Sequence, residues 1–185
     1  MIKETAIEGM REGQTGKCDA TFERHWAAHR QRIWQFIVRM GCSRDAADDL
    51  SQEICIRAFR AFPEFRGQSS FSTWLYRIAV NAVIRYRETL KHNTFPLHSA
   101  SVERLPEEPS FGPEARMLAD SVRPVVWQAI ERLPEDLRAT LVLQVYEGLK
   151  YREIAEVLNI SLDLVKYRRH QAMLRLREEL KDYEM

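Results

Sequence analysis

Apolar residues recur along this chain three or four positions apart, as on helix faces, and no segment sustains the alternation of a strand. Phe22, Trp26, Ile33, Ile37 and Met40 mark one face of a first helix, closed by Gly41. Ser43 and Asp45 resemble the N-cap and acidic first turn of a second helix. Its apolar positions are Ala46, Leu50, Ile54, Ala58 and Phe62, and Pro63 stops it. A loop, FRGQSS, precedes a third helix over Phe71 to Lys91, with Leu75, Ala79, Ala82 and Tyr86 on one stripe and Ile78 at its edge. From Asn93 to Ala119 the period disappears among Pro96, Pro106, Pro109, Gly112 and Pro113, which reads as an extended, flexible linker. Helical spacing returns with Val122, Val125, Val126, Ala129, Ile130 and Leu133. Pro134 then opens a helix with Leu137, Leu141, Val145 and Leu149 on one face. The pattern predicts an all-α protein of two small helical domains, residues 21–92 and 121–185. A linker over 93–120 joins them, and a polar, mobile tail over 1–20 precedes them.

Charge changes this picture more than bulk composition does. The formal net charge of +1 conceals an uneven distribution. Seven basic residues stand against two acidic ones from Arg57 to Lys91, and eight against five from Lys150 to Lys181. Between them, the stretch from His92 to Ser121 carries five acidic residues against two basic ones. Basic segments on either side of an acidic one fit phosphate contact at both ends, and the acidic connector would let the second domain fold back on the first. At 45% hydrophobic and 30% charged, the composition is that of a soluble globular protein. No apolar run nears the roughly 20 residues of a membrane span, and MIKETAIEGMREGQTGK lacks the apolar core of a secretory signal. The three cysteines are odd in number and lack CxxC spacing. The expected location is cytoplasmic.

Two helices carry candidate chemistry. Near the C-terminus, Ile154, Ala155 and Leu158 form the apolar face of a short helix, Asn159 tolerates a left-handed turn, and Ser161 can cap the next helix with Asp163 in its first turn. Short helix, tight turn and longer helix make the helix-turn-helix pattern. On the longer helix Val165, Ala172 and Leu176 fall on the inner side, while Lys166, Tyr167, His170 and Gln171 face outward toward a major groove. Arg168 and Arg175 flank that face where phosphates would lie. On the third helix, Trp74, Arg77, Asn81 and Arg85 make a separate stripe. An indole, two guanidiniums and an amide suit single-stranded or flipped-out bases better than an intact duplex.

The block PEFRGQSSFSTWLYRIAVNAV resembles region 2 of bacterial sigma factors of the extracytoplasmic-function (group IV) type, within the sigma-70 superfamily. LPEDLRATLVLQVYEGLKYREIAEVLNISLDLVKYRRHQA resembles their region 4, and DAADDLSQEICIRAFRAF resembles the region 2 helix that docks on core RNA polymerase. The resemblance covers roughly residues 21–91 and 122–181. It implies an alternative sigma factor that binds core RNA polymerase, reads duplex at −35 and single-stranded DNA at −10, and answers to an anti-sigma factor. It places polymerase docking on Asp49, Gln52 and Glu53, and capture of a flipped −10 base on Gly67, Gln68, Ser69, Ser70 and Asn81. Trp74 matches an aromatic near the point of strand opening, and Lys166, Tyr167, His170 and Gln171 match the −35 reading positions. The family commonly has Gly-Thr-Val-Lys-Ser-Arg-Leu where this chain has Asp163-Leu164-Val165-Lys166-Tyr167-Arg168-Arg169. Tyr167 therefore replaces a small residue, and Arg169 interrupts the apolar stripe.

Other chemistry is poorly supported. His25 and His29 lie four apart downstream of Cys18, but no adjacent ligand completes a zinc site. No Gly-rich phosphate loop and no nucleophile elbow occur, so neither an enzyme nor a cofactor is expected. Two rival readings remain at this level: an autonomous helix-turn-helix regulator, and a metal or thiol sensor.

Overall fold

A computed structural model describes residues 4–92 and 124–181, with side chains described for 20–90 and 124–181. The acidic connector and Val122 lie outside the described residues. Among the described residues the chain is helical without strands. α1 (Glu4–Arg39), α2 (Arg44–Ala61) and α3 (Phe71–His92) form an N-terminal unit, with a 3-10 turn at Phe62–Glu64 between α2 and the α3 loop. α4 (124–132), α5 (Glu135–Val145), α6 (Tyr151–Leu158) and α7 (Leu162–Leu180) form a C-terminal unit. α1 begins at Glu4, so the polar stretch expected as a tail is helical backbone from there onward.

The sequence punctuation works largely as its chemistry requires. Gly41, at φ +85°, turns the chain out of α1 in the left-handed region. Ser43 Oγ accepts the Ala46 N–H at 3.3 Å, and Ser161 Oγ accepts the Leu164 N–H at 3.2 Å. Asn159 adopts φ 52° and ψ 49° between α6 and α7. Asparagine is one of the few residues besides glycine that visits this conformation routinely. Pro63 sits in the 3-10 turn that ends α2.

Burial follows the expected stripes and then exceeds them. Ile33, Ile37 and Met40 of α1, Leu50 and Ile54 of α2, and Leu75, Ala79 and Ala82 of α3 form the N-terminal core. Trp127, Ile130, Leu133, Leu137, Leu141, Ala172 and Leu176 form a smaller core in the C-terminal unit. The larger core does not stop at the unit boundary. Phe36, Tyr76, Val80 and Val83 join Ala139, Val142, Leu143, Ile154 and Val157 in one continuous cluster. Each fully buried Val or Leu contributes about 1.5–3 kcal/mol relative to exposure. Trp26, Phe62, Tyr86, Ala155 and Leu158 are half-buried, and one expected core position is exposed outright. Val145 ends α5 and is 61% exposed, while Ala139, Thr140, Val142 and Leu143 are buried instead. The reason is that α5 is covered both by its own unit and by the first, so burial wraps around it rather than following one stripe.

Candidate functional site

Three surfaces hold the residues singled out from sequence. The first is the outer face of α2. Asp49, Gln52 and Glu53 are all exposed there, opposite the buried Leu50 and Ile54. Glu53 pairs with Arg57 one turn on. Ile56, 52% exposed, lies on the same face, and Phe59 is also exposed nearby. The reading of the apolar stripe missed both, although Ile56 stands two residues past Ile54 and so points away from the core by helical geometry. Beside this face a groove between α1 and α2 is lined by Trp26, Arg30, Trp34 and Gln52, where Trp34 Nε1 donates to Asp48 Oδ1 at 2.7 Å.

The second surface combines the loop before α3 with α3 itself. Gly67 has φ +69° and nothing within 4 Å of where a Cβ would lie, so this loop stands open. Gln68 is exposed and Ser69 half-buried. Ser70 is engaged in capping α3, where its Oγ accepts the Thr73 N–H at 3.1 Å and meets Thr73 Oγ1 at 2.7 Å. Trp74 is half-buried in an aromatic cluster, 5.0 Å from the Phe65 ring and 5.4 Å from Phe71. Arg77, Asn81 and Arg85 are exposed. Arg77 and Asn81 line one groove of about 430 Å³, whose opposite wall holds Glu135, Asp136, Asn159 and Arg168 of the C-terminal unit. Asn81 lies about 15 Å up the α3 axis from Phe71, at 1.5 Å per residue. The loop and Asn81 are thus at different heights on this surface.

The third surface is α7. Val165 and Ala172 are fully buried and Leu176 is 8% exposed, which fixes the rotation of the helix. Lys166, Tyr167, His170 and Arg175 are exposed, and Gln171 is half-buried. Lys166 Nζ pairs with Asp163 at 3.2 Å. Arg168 pairs with Asp136 of α5 at 3.4 Å. Arg169 does not break the packing, because its Nε donates to Gln144 Oε1 at 3.3 Å, and Gln144 Nε2 donates in turn to the Tyr151 hydroxyl at 3.2 Å. That chain of bonds ties α7 to α5 and α6. Leu164, an exposed apolar residue one turn before Tyr167, joins the outer face and was not anticipated.

His25 stacks on Phe71 at 4.8 Å, and His29 meets the same ring edge-on at 5.3 Å. Among the described residues no three His, Cys, Asp or Glu side chains come together in a metal-binding group. Burial pushes the Cys42 thiol up to about 11, with the Arg87 and Arg138 guanidiniums opposing that shift. It therefore stays protonated and weakly nucleophilic at neutral pH. No helix among the described residues is long and apolar enough to cross a membrane.

Comparison with known proteins decides among the readings. Residues 25–92 match the model for Sigma-70 region 2, and residues 124–176 match that for Sigma-70, region 4. The chain is 38% identical to the RNA polymerase sigma-H factor of Pseudomonas aeruginosa, over 76% of each chain. It is 36% identical to the ECF RNA polymerase sigma-E factor of Escherichia coli, again over 76% of each. The chain belongs to the extracytoplasmic-function RNA polymerase sigma factors. In fold, this sigma factor resembles RpoE of Bartonella quintana, solved in complex with the anti-sigma factor NepR (TM-score 0.68, 22% identity, 87% of this chain and 97% of that one). It also resembles CnrH, solved in complex with the cytosolic domain of CnrY (TM-score 0.64, 22% identity, 92% and 96%). As an alternative sigma factor it binds core RNA polymerase and directs promoter recognition in transcription initiation. The N-terminal unit is accordingly its region 2, and the C-terminal unit its region 4.

Proposed function

We propose that the three surfaces divide the work of initiation. Asp49, Gln52 and Glu53 of α2, with Ile56 as an apolar centre, dock on core polymerase. The loop Gly67, Gln68, Ser69 and Ser70, with Trp74, Arg77, Asn81 and Arg85 of α3, holds the unpaired −10 strand. Lys166, Tyr167, His170 and Gln171 of α7 read −35 duplex, while Arg168 and Arg175 contact phosphates. Region 2 function extends over 21–92 and region 4 function over 121–185, with 93–120 as the tether. Trapping an extruded −10 base offsets the few kcal/mol that unstacking costs, so recognition and melting are one event. The protein has no catalysis of its own, needs no cofactor, works in the cytoplasm, and is held in check by an anti-sigma factor.

The observation that carries this reading is the fixed rotation of α7. Its inner face is locked by Val165, Ala172 and Leu176 and its start by Ser161, leaving a polar and aromatic face outward at the helix N-terminal end, where a helix-turn-helix contacts base edges. Selection of −35 duplexes from a random pool by the reconstituted holoenzyme tests it. Tyr167→Ala and Gln171→Ala change base preference, by about 1–3 kcal/mol of discrimination at the contacted pair. Arg168→Ala and Arg175→Ala weaken all duplexes alike and lower the salt slope by about one each. Unchanged preference in both groove variants means that α7 does not read DNA through this face.

A further inference from the structure

The first two turns of α7 hold two apolar side chains, side by side, in water. Leu164 is 37% exposed and Tyr167 60% exposed. They stand three residues apart, where helical side chains are neighbours on one face. Their placement is fixed from both directions. Ser161 Oγ accepts the N–H of Leu164 itself at 3.2 Å, and the fully buried Val165 sets the rotation of the turn that carries both. Gln171, half-buried, continues the same face one turn beyond Tyr167. The charges at this end pair with one another. Lys166 Nζ meets Asp163 at 3.2 Å, and Arg168 meets Asp136 of α5 at 3.4 Å. A lone exposed leucine is ordinary. An aliphatic and an aromatic group together at the start of the second helix of a helix-turn-helix are not, because that end of the helix contacts base edges.

Base chemistry says what such a pair can recognise. In the major groove the base edges differ in their hydrogen-bonding groups, and thymine alone adds an apolar group, its C5 methyl. The carbon atoms of a leucine or of a tyrosine ring cannot sort hydrogen-bond patterns, but they gain by taking a methyl out of water. The spacing suits two such methyls. Three residues of helix rise about 4.5 Å, and successive base pairs stack about 3.4 Å apart, so Leu164 and Tyr167 reach neighbouring pairs. Leu164 and Tyr167 stand where the family commonly has threonine and serine, so this apolar pair belongs to this chain's own residues.

We propose that Leu164 and Tyr167 read the −35 element by burying thymine C5 methyls, so that this sigma factor selects a thymine at each of two neighbouring base pairs there. The inference rests on the reading of α7 as the −35 helix. The test uses holoenzyme reconstituted from core polymerase and the full chain, bound to the duplex it selects at −35 from a random pool. The thymines of that element, and no others, are replaced one at a time by deoxyuridine, which keeps the hydrogen-bonding edge and lacks only the methyl. Binding should weaken about fourfold at each of two neighbouring positions, the worth of one buried carbon. Leu164→Ala should abolish the contrast between thymine and uracil at one of them, and Tyr167→Ala at the other. Tyr167→Phe should keep it, because the ring and not the hydroxyl makes the contact. Leu174→Ala removes a similarly exposed leucine about 15 Å farther along the helix axis and should keep both contrasts. The comparison of thymine with uracil in the wild-type protein needs no variant to fold. Equal affinity for the two bases at every −35 position overturns the proposal and leaves the apolar pair to a protein partner. A contrast that survives in both Leu164→Ala and Tyr167→Ala overturns the assignment to these residues. If no −35 element is selected at all, the reading of α7 fails and takes this inference with it.

Discussion

At the scale of single residues, Asn81 carries the most specific claim. Its amide offers both a donor and an acceptor on an exposed stretch of α3, at the groove that faces the C-terminal unit and outside the buried core. Asn81→Ala should leave helical content, polymerase binding and −35 preference unchanged, yet slow open-complex formation on a matched promoter. The deficit should shrink on a template with a premelted −10 element if Asn81 assists melting, and persist as relaxed base choice if it only reads. A variant that opens promoters at the wild-type rate with the wild-type −10 preference removes Asn81 from the site. Exposure of such residues was legible in the sequence, because helical spacing separates 77, 81 and 85 from 75, 79 and 82. Glu147 was not. It reads as one more surface acid before a glycine, and only the fold brings Tyr76, Arg32 and Arg39 from elsewhere in the chain to surround it.

At the scale of elements, helix starts and stops were readable because caps act locally. Ser43, Ser161, Asn159, Gly41 and Pro63 each do in the structure what their side chain or ring dictates. Ser161→Ala should accordingly destabilise the folded chain by about 1 kcal/mol, lowering its melting temperature. An unchanged transition would mean that Ser161 contributes nothing to α7. The second buried faces of α3 and α6 were less legible. Val80 and Val157 fall outside the stripes assigned from period alone, and both belong to the cluster that runs from one unit into the other. The outer face of α2 has the opposite character, polar with Ile56 exposed among the acids. Replacing Asp49, Gln52 and Glu53 together by alanine should weaken polymerase binding while preserving the helix. Ile56→Ala alone should cost about tenfold, the 1.4 kcal/mol range of a modest interface anchor. Wild-type affinity in the triple variant would exclude this face from docking.

At the scale of the whole molecule, the chain is a pair of nucleic-acid-binding units whose spacing is as important as their surfaces. The alternation of basic, acidic and basic segments hinted that the ends could approach one another, and the structure shows them packed through a shared core. The proposed −10 and −35 assignments call for the reverse, two helices held apart on one promoter by polymerase. The measurement that tests this most directly is transcription of sheared host genomic DNA by core polymerase reconstituted with this protein, with start sites mapped by sequencing. The account predicts start sites absent with core polymerase alone and preceded by two common elements. Asn81→Ala should degrade only the −10 element, and Gln171→Ala only the −35 element. No enrichment of start sites over core polymerase alone, or variants that disturb both elements equally, would contradict it.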